Sequence, residues 1–258
     1  MAGQGGRKKR RPLDPASYRE RSYRRRARAS GLVAFEVRLK ETDLQILAPQ
    51  EDSALALDLV RFYRNQLENH IAARPEFLTA MSPLDPDPLA PPLVREMYKA
   101  AQLAGVGPMA AVAGVIAEFV GRGLEEERGW DEIIVENGGD IYLRRQADST
   151  VAIFAGASPL SDKIGIRLKA GQTPTGLCTS SASVGHSLSL GRADAVTVLA
   201  RSTALADAVA TRIGNETKRD ADINQALKVA GGIPGVAGAL IVKGKNLGVW
   251  GEMELVGL

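Results

Sequence analysis

The stretch Gly107-Pro-Met-Ala-Ala-Val-Ala-Gly-Val-Ile-Ala-Glu-Phe-Val-Gly121 constrains this chain more than any other, because it reads as a helix with one face almost bare of side chains. Met109, Val112, Ile116 and Val120 recur at helical spacing as a buried stripe, and Pro108 suits the first turn. Ala110, Gly114, Ala117 and Gly121 line a second face. Protein interiors are close-packed, so a surface this bare requires another backbone or a ligand to come within contact distance. The segment Ser202 to Asn215 has the same character. It reads as an alanine-rich helix in which Asp207 and Thr211 are the only polar side chains between Ala204 and Thr211. Residues four apart share a helix face. A carboxylate and a hydroxyl there are hard oxygen donors of the kind that bind Mg²⁺ or Ca²⁺. A plainer account is that Asp207 gains from the dipole of its own helix while Thr211 bonds back to a carbonyl one turn earlier. Gly214 is expected to stop this helix.

The remaining periodicities set the fold class. Leu32–Leu39 alternates as a strand with Asp43–Ala48 as its hairpin partner, and Glu51–Ala73 repeats apolar residues at helical spacing. His70, near the end of that helix, is expected to face solvent or the helix dipole. Five prolines between Ser82 and Pro92 make a stiff connector, followed by a helix over Leu93–Ala104. Strands are predicted at Ile133–Glu136, Ile141–Arg145, Val151–Ala155, Ile164–Leu168 and Val196–Ala200. Helices follow at about Thr203–Ile213 and Asp220–Val229, and the chain closes with a hairpin of Gly238–Lys243 against Leu247–Val256. Helices mixed with hairpin-length turns imply an α+β fold with a largely antiparallel sheet.

Charge is divided along the chain. The first thirty residues hold eleven Lys or Arg against Asp14 and Glu20, which leaves 22 basic and 28 acidic residues in the remainder. Residues 1–30 are read as a solvated basic tail that can contact anionic surfaces, and residues 31–258 as one globular domain. Only Tyr18 and Tyr23 interleave the basic run, so it does not read as a nucleic-acid platform. The basic start lacks an apolar core for a secretory signal, and the run from Met109 to Gly121, broken by Glu118, is too short to span a bilayer. These features, with a single cysteine, point to a cytoplasmic protein without disulfides or a cysteine-based zinc site.

Two further motifs could carry chemistry. Asn137-Gly-Gly-Asp140 joins two predicted strands, where Gly138 and Gly139 suit a tight turn with positive φ. It is either a plain hairpin or a cradle of backbone N–H groups and the Asn137 amide for phosphate or another polar ligand edge. Thr175–Ser189 packs hydroxyls and glycines around His186, a candidate general acid or base. Cys178 is read as a small buried apolar residue, since no orienting third group accompanies it and His186. Neither Walker nor Rossmann glycine loops occur, which argues against common NTPases and nicotinamide dehydrogenases.

Together, Gly107–Glu118, Glu136–Asp140, Cys178–Leu188, Ala193–Val198 and Leu205–Thr211 resemble the UPF0280 family and, more distantly, the ApbE superfamily of flavin transferases, which use Mg²⁺ to move FMN from FAD onto a Thr or Ser of an acceptor protein. The resemblance implies an ApbE-like fold with Asp207 and Thr211 as metal ligands. It also implies a ligand site drawn from Asn137, Gly138, Gly139 and Asp140, from Thr179, Ser180 and Ser181, and from Gly114. His186 would assist proton transfer. The expected ligands are Mg²⁺ and FAD or a related flavin nucleotide, with a protein acceptor as partner and an oligomer compatible with the sequence. The chain departs from the superfamily in two blocks: Ala113-Gly114 stands where a Lys-Gly pair is usual, and His186-Ser-Leu-Ser189 is at most a shortened remnant of a His-x-x-Asp-Pro-x-Thr-Gly block. The alternative implied is a binding module that has lost transferase chemistry.

Overall fold

The computed structural model describes Arg24, residues 29–181 and residues 191–258. Seven antiparallel pairings build an eight-stranded sheet from β1 (Val33–Leu39), β2 (Thr42–Ala48), β3 (Ile133–Asn137), β4 (Asp140–Arg144), β7 (Thr175–Ser180), β8 (Ala195–Ala200), β9 (Val236–Lys243) and β10 (Asn246–Gly251), in that order. A smaller antiparallel sheet, ordered β11-β6-β5, comprises β5 (Ser149–Ala152), β6 (Ile164–Leu168) and β11 (Glu254–Gly257).

The two-residue period of the central strands divides the core. Val135, Tyr142, Cys178, Val198 and Ile241 point to one face, where they meet α1 (Ser53–Ala73), α3 (Pro92–Ala104), α4 (Val112–Arg128), α5 (Thr203–Glu216) and α6 (Ile223–Gly231). Leu143, Leu177, Leu199 and Leu240 point to the other and pack against Ile166 and Leu168 of the smaller sheet and Ile153 just beyond β5. The result is a layer of helices, a central sheet and a covering sheet, the α+β architecture that the pattern implies. The short α2 (Glu76–Thr79) lies after α1. Among the described residues no single helix is long and apolar enough to cross a membrane.

The bare helix faces meet one another. A methyl group at Gly114 on α4 would stand 2.5 Å from the carbonyl oxygen of Thr203 and 2.9 Å from the Cβ of Asp207, both on α5. One at Gly176 on β7 would stand 2.4 Å from the Cα of Thr203, and one at Gly121 would stand 2.4 Å from the Tyr142 ring. Small residues thus let the first turn of α5 lie directly on α4 and β7. Gly114→Ala is expected to destabilise the fold by about 2 kcal/mol, since its obstacle is backbone that cannot step aside. Chemical denaturation checks this, and an unchanged midpoint would show that α5 can retreat without cost.

Several elements differ from the sequence reading. Thr175–Ser180 is a central strand, not part of a loop. Helix α5 continues through Gly214 to Glu216, where Thr217 Oγ1 donates to the Ile213 carbonyl at 2.8 Å. Helix α4 runs on past Gly121 to Arg128, where Gly129, with φ of 66°, closes it. The last hairpin arm breaks at Gly251, with φ of 78°, so β10 stays in the large sheet and β11 joins the small one. His70 is buried, 3.0 Å from Tyr98 Oη and edge-on to Phe77 and Tyr98, and burial lowers its pKa.

Candidate functional site

The site forms where the N-terminal turns of α4 and α5 meet the ends of β3, β4 and β7. Asp207 lies one turn into α5 and is 9% exposed. Its carboxylate accepts the N–H groups of Gly114, at 2.9 Å, and Ala113. It therefore caps the N-terminus of α4, not its own helix, and gains from the positive end of the α4 dipole. Burial outweighs these bonds and raises the Asp207 pKa to about 7. Thr211, partly buried, follows one turn later on the same helix face.

The arrangement is reciprocal. Glu118, one turn after Gly114 on α4, is 4% exposed and accepts the Thr203 N–H of α5 at 2.7 Å. Its other oxygen receives Arg122, and the Ser202 hydroxyl completes the α5 cap by accepting from Leu205 N at 3.3 Å. Each helix supplies a carboxylate to the other's N-terminus. Sequence reasoning noted Glu118 only as an interruption of an apolar run. A lone charge in such a run was the available signal.

The glycine turn reaches the same place. Asn137 donates its side-chain amide to the Ala113 carbonyl at 3.1 Å, so the Ala113–Gly114 peptide unit carries Asn137 on its C=O and Asp207 on its N–H. Gly138 and Gly139, with φ of 71° and 111°, form a two-residue hairpin connection of the kind that only glycine enters freely. The turn is clamped twice: Gly139 N donates to Glu136 Oε1 at 2.9 Å, and Gly139 O accepts from Thr179 N at 3.0 Å. Asp140, the next residue, is a cross-strand neighbour of Cys178 and shares a hydrogen bond with its thiol.

Cys178 is fully buried between these acids. Burial first, then the charges of Asp140 and Asp207, push its thiol pKa well above the usual range. Its single S–H is shared between the Asp140 carboxylate and the Thr203 carbonyl, which lies 3.4 Å away. It is therefore a packing residue, as the sequence suggested, and also the point where Asp140 and Asp207 come within electrostatic reach of each other's surroundings.

Strand alternation separates the Thr179-Ser180-Ser181 hydroxyls. Ser180 shares the helix-facing side with Gly176 and Cys178, and a methyl at Gly214 of α5 would lie 3.8 Å from its Oγ. Thr179 points away from Cys178, to Thr197 Oγ1 at 2.9 Å, while Ser181 donates to the Asp194 carbonyl at 2.7 Å. Thr179 thus reaches the turn through its backbone alone. Gly114 is covered by α5, which supplies the close neighbour its bare face demands. His186 lies outside the described residues.

Arg24, inside the segment read as a solvated tail, is 4% exposed and paired with Glu136 and Asp43. Among the described residues, no group of three or more His, Cys, Asp or Glu converges to hold a metal ion.

Comparison with known proteins gives the family and the fold. A family model described as AbpE bacteria matches residues 24–230. A UPF0280 protein of Methanocaldococcus jannaschii is 42% identical over 231 residues, covering 86% of this chain and 93% of that protein. The chain belongs to the UPF0280 family. Another UPF0280 member, from Methanopyrus kandleri, is 38% identical over 228 residues, covering 86% and 91% of the two chains. Among solved structures, the apo flavinyl transferase ApbE of Pseudomonas stutzeri matches with a TM-score of 0.58 at 14% identity, over 85% of this chain and 94% of that one. A mutant of the Vibrio cholerae flavin transferase ApbE gives 0.56 at 14% identity, over 85% and 97%. At such identities the likeness establishes that this UPF0280 member has the ApbE fold.

Proposed function

We propose that this chain binds a flavin nucleotide such as FAD together with Mg²⁺ at the junction of α4, α5 and the glycine turn, and cleaves the nucleotide's pyrophosphate with transfer of FMN to a hydroxyl acceptor. The observation that carries the reading is the shared Ala113–Gly114 peptide, which brings Asn137 of the glycine turn and Asp207 of α5 onto one helix N-terminus. The fold of the flavin transferases supports the ligand class.

The residues present suit a divalent cation. A carboxyl that burial holds near pH 7 is one whose ionised form a cation would favour, and Thr211 adds a neutral oxygen donor one turn away. When bound, Mg²⁺ would neutralise phosphate charge and the departing AMP. Asp207 and Thr211 would hold the ion, and the Asn137–Gly139 turn would orient the polar edge of the nucleotide. In the transfer, the acceptor oxygen bonds to the FMN phosphorus, the P–O bond to AMP breaks, and the hydroxyl proton leaves, a step assigned to His186. A protein acceptor and a cytoplasmic setting belong to the same proposal, with residues 31–258 as its single domain.

One observation favours a second reading, a flavin- or nucleotide-binding module without turnover. Ala113 and Gly114 stand where a lysine would offer a cation, and their backbone is engaged by Asn137 and Asp207. Incubating the purified protein with FAD and Mg²⁺ and assaying AMP decides between the two. Release of AMP that Asp207→Ala abolishes supports transfer, retention of flavin without AMP supports the binding module, and neither binding nor metal dependence would remove both.

A further inference from the structure

We propose that Arg24 is a positioning residue for the glycine turn, acting through Glu136. A Gly-Gly turn has little intrinsic preference for one shape, so external bonds must select it. One of the two clamps on Gly139 is the Glu136 carboxylate, whose Oε1 accepts the Gly139 N–H at 2.9 Å. Its Oε2 receives Arg24 Nε at 2.6 Å. The same guanidinium is fixed by Asp43, through Nη1 to Oδ1 at 2.6 Å and Nη2 to the carbonyl at 2.8 Å, while Gln45 Nε2 donates to the Arg24 carbonyl at 3.2 Å. Gln45 is the cross-strand neighbour of Glu136. A planar fork thus ties β2 to one oxygen of Glu136 and leaves the other aimed at the turn, a geometry a lysine cannot reproduce.

A fastening role alone would stabilise the chain without shaping the turn, so the test reads the turn directly. Amide hydrogen exchange is measured on the full chain and on Arg24→Gln, Arg24→Lys and the double variant Arg24→Gln/Glu136→Gln. In Arg24→Gln, exchange at Gly138–Asp140 is expected to rise about tenfold, while exchange at the β9–β10 turn around Gly244 stays as in the parent chain. Arg24→Lys should give an intermediate rise and carries the test should the glutamine variant fail to fold. The double variant should show no rise beyond Arg24→Gln. Unchanged exchange at Gly139 in Arg24→Gln with a lowered melting temperature would overturn the proposal.

The consequence for ligand rests on the flavin reading: Arg24→Gln should weaken FAD binding about tenfold. If the parent chain binds no FAD, the flavin reading falls while the exchange measurement still decides the role of Arg24.

Discussion

Magnesium affinity is expected to rise about tenfold per pH unit up to about pH 7 and to level off above it, because Asp207 must lose its proton before it can bind a cation. Burial drives this, holding the carboxyl at about 7 against its ordinary 3.8 despite two backbone N–H bonds. Calorimetry in buffers of different ionisation enthalpy should find close to one proton released per ion well below pH 7 and none well above it. Asp207→Asn should lower the affinity by about a hundredfold or more and remove the pH dependence. A pH-independent affinity that survives Asp207→Asn would place the cation elsewhere. The same ionisation bears on the metal-free fold. Between pH 3.8 and about 7 the folded chain binds a proton at Asp207 that the unfolded chain has lost, so this contribution to stability is full at low pH and declines as pH rises through about 7. In Asp207→Asn that decline should vanish from the denaturation profile.

Glu118→Ala should cost about 3 kcal/mol of folding stability, more than an ordinary surface substitution by a wide margin. Glu118 is 4% exposed, and its loss strips the buried Thr203 N–H of its acceptor at a helix start. It also removes the partner of Arg122. Glu118→Gln keeps an oxygen at that position and should cost less than half as much. Equilibrium denaturation of the three proteins tests both, and equal losses for the two variants would show that charge, not the cap, is what Glu118 provides.

The sequence made much of the framework legible. The alternation in Leu32–Ala48 and the spacing in Glu51–Ala73 gave β1, β2 and α1 within a few residues, and the bare faces around Gly114 and Asp207 signalled the helix contact that the fold contains. Strand β7 escaped because Thr-Gly-Leu-Cys-Thr-Ser lacks the bulky branched residues typical of a central strand. Its residues are small because α5 lies on it at Gly176, a tertiary demand with no local signature. Gly214 looked like a helix end. Its helical conformation is retained there, and Gly191 fits against its carbonyl, where a methyl group would come within 1.7 Å. Asp207 was picked out by its isolation on an apolar face. Its partner could not be, since the α4 terminus that it caps lies 93 residues earlier. Arg24 was hidden by composition: ten other Lys or Arg surround it among the first thirty residues, and nothing local distinguishes it from them.

The exchange of caps between α4 and α5 has a consequence for how the chain can be divided. Gln146, Ala147 and Asp148 lie exposed between the two helices in sequence, an accessible point for a protease. Nicking there would leave each fragment holding one helix whose terminating carboxylate resides on the other fragment. Neither fragment should then be ordered at this junction alone, and mixing should restore order in proportion to the added partner, saturating at one to one.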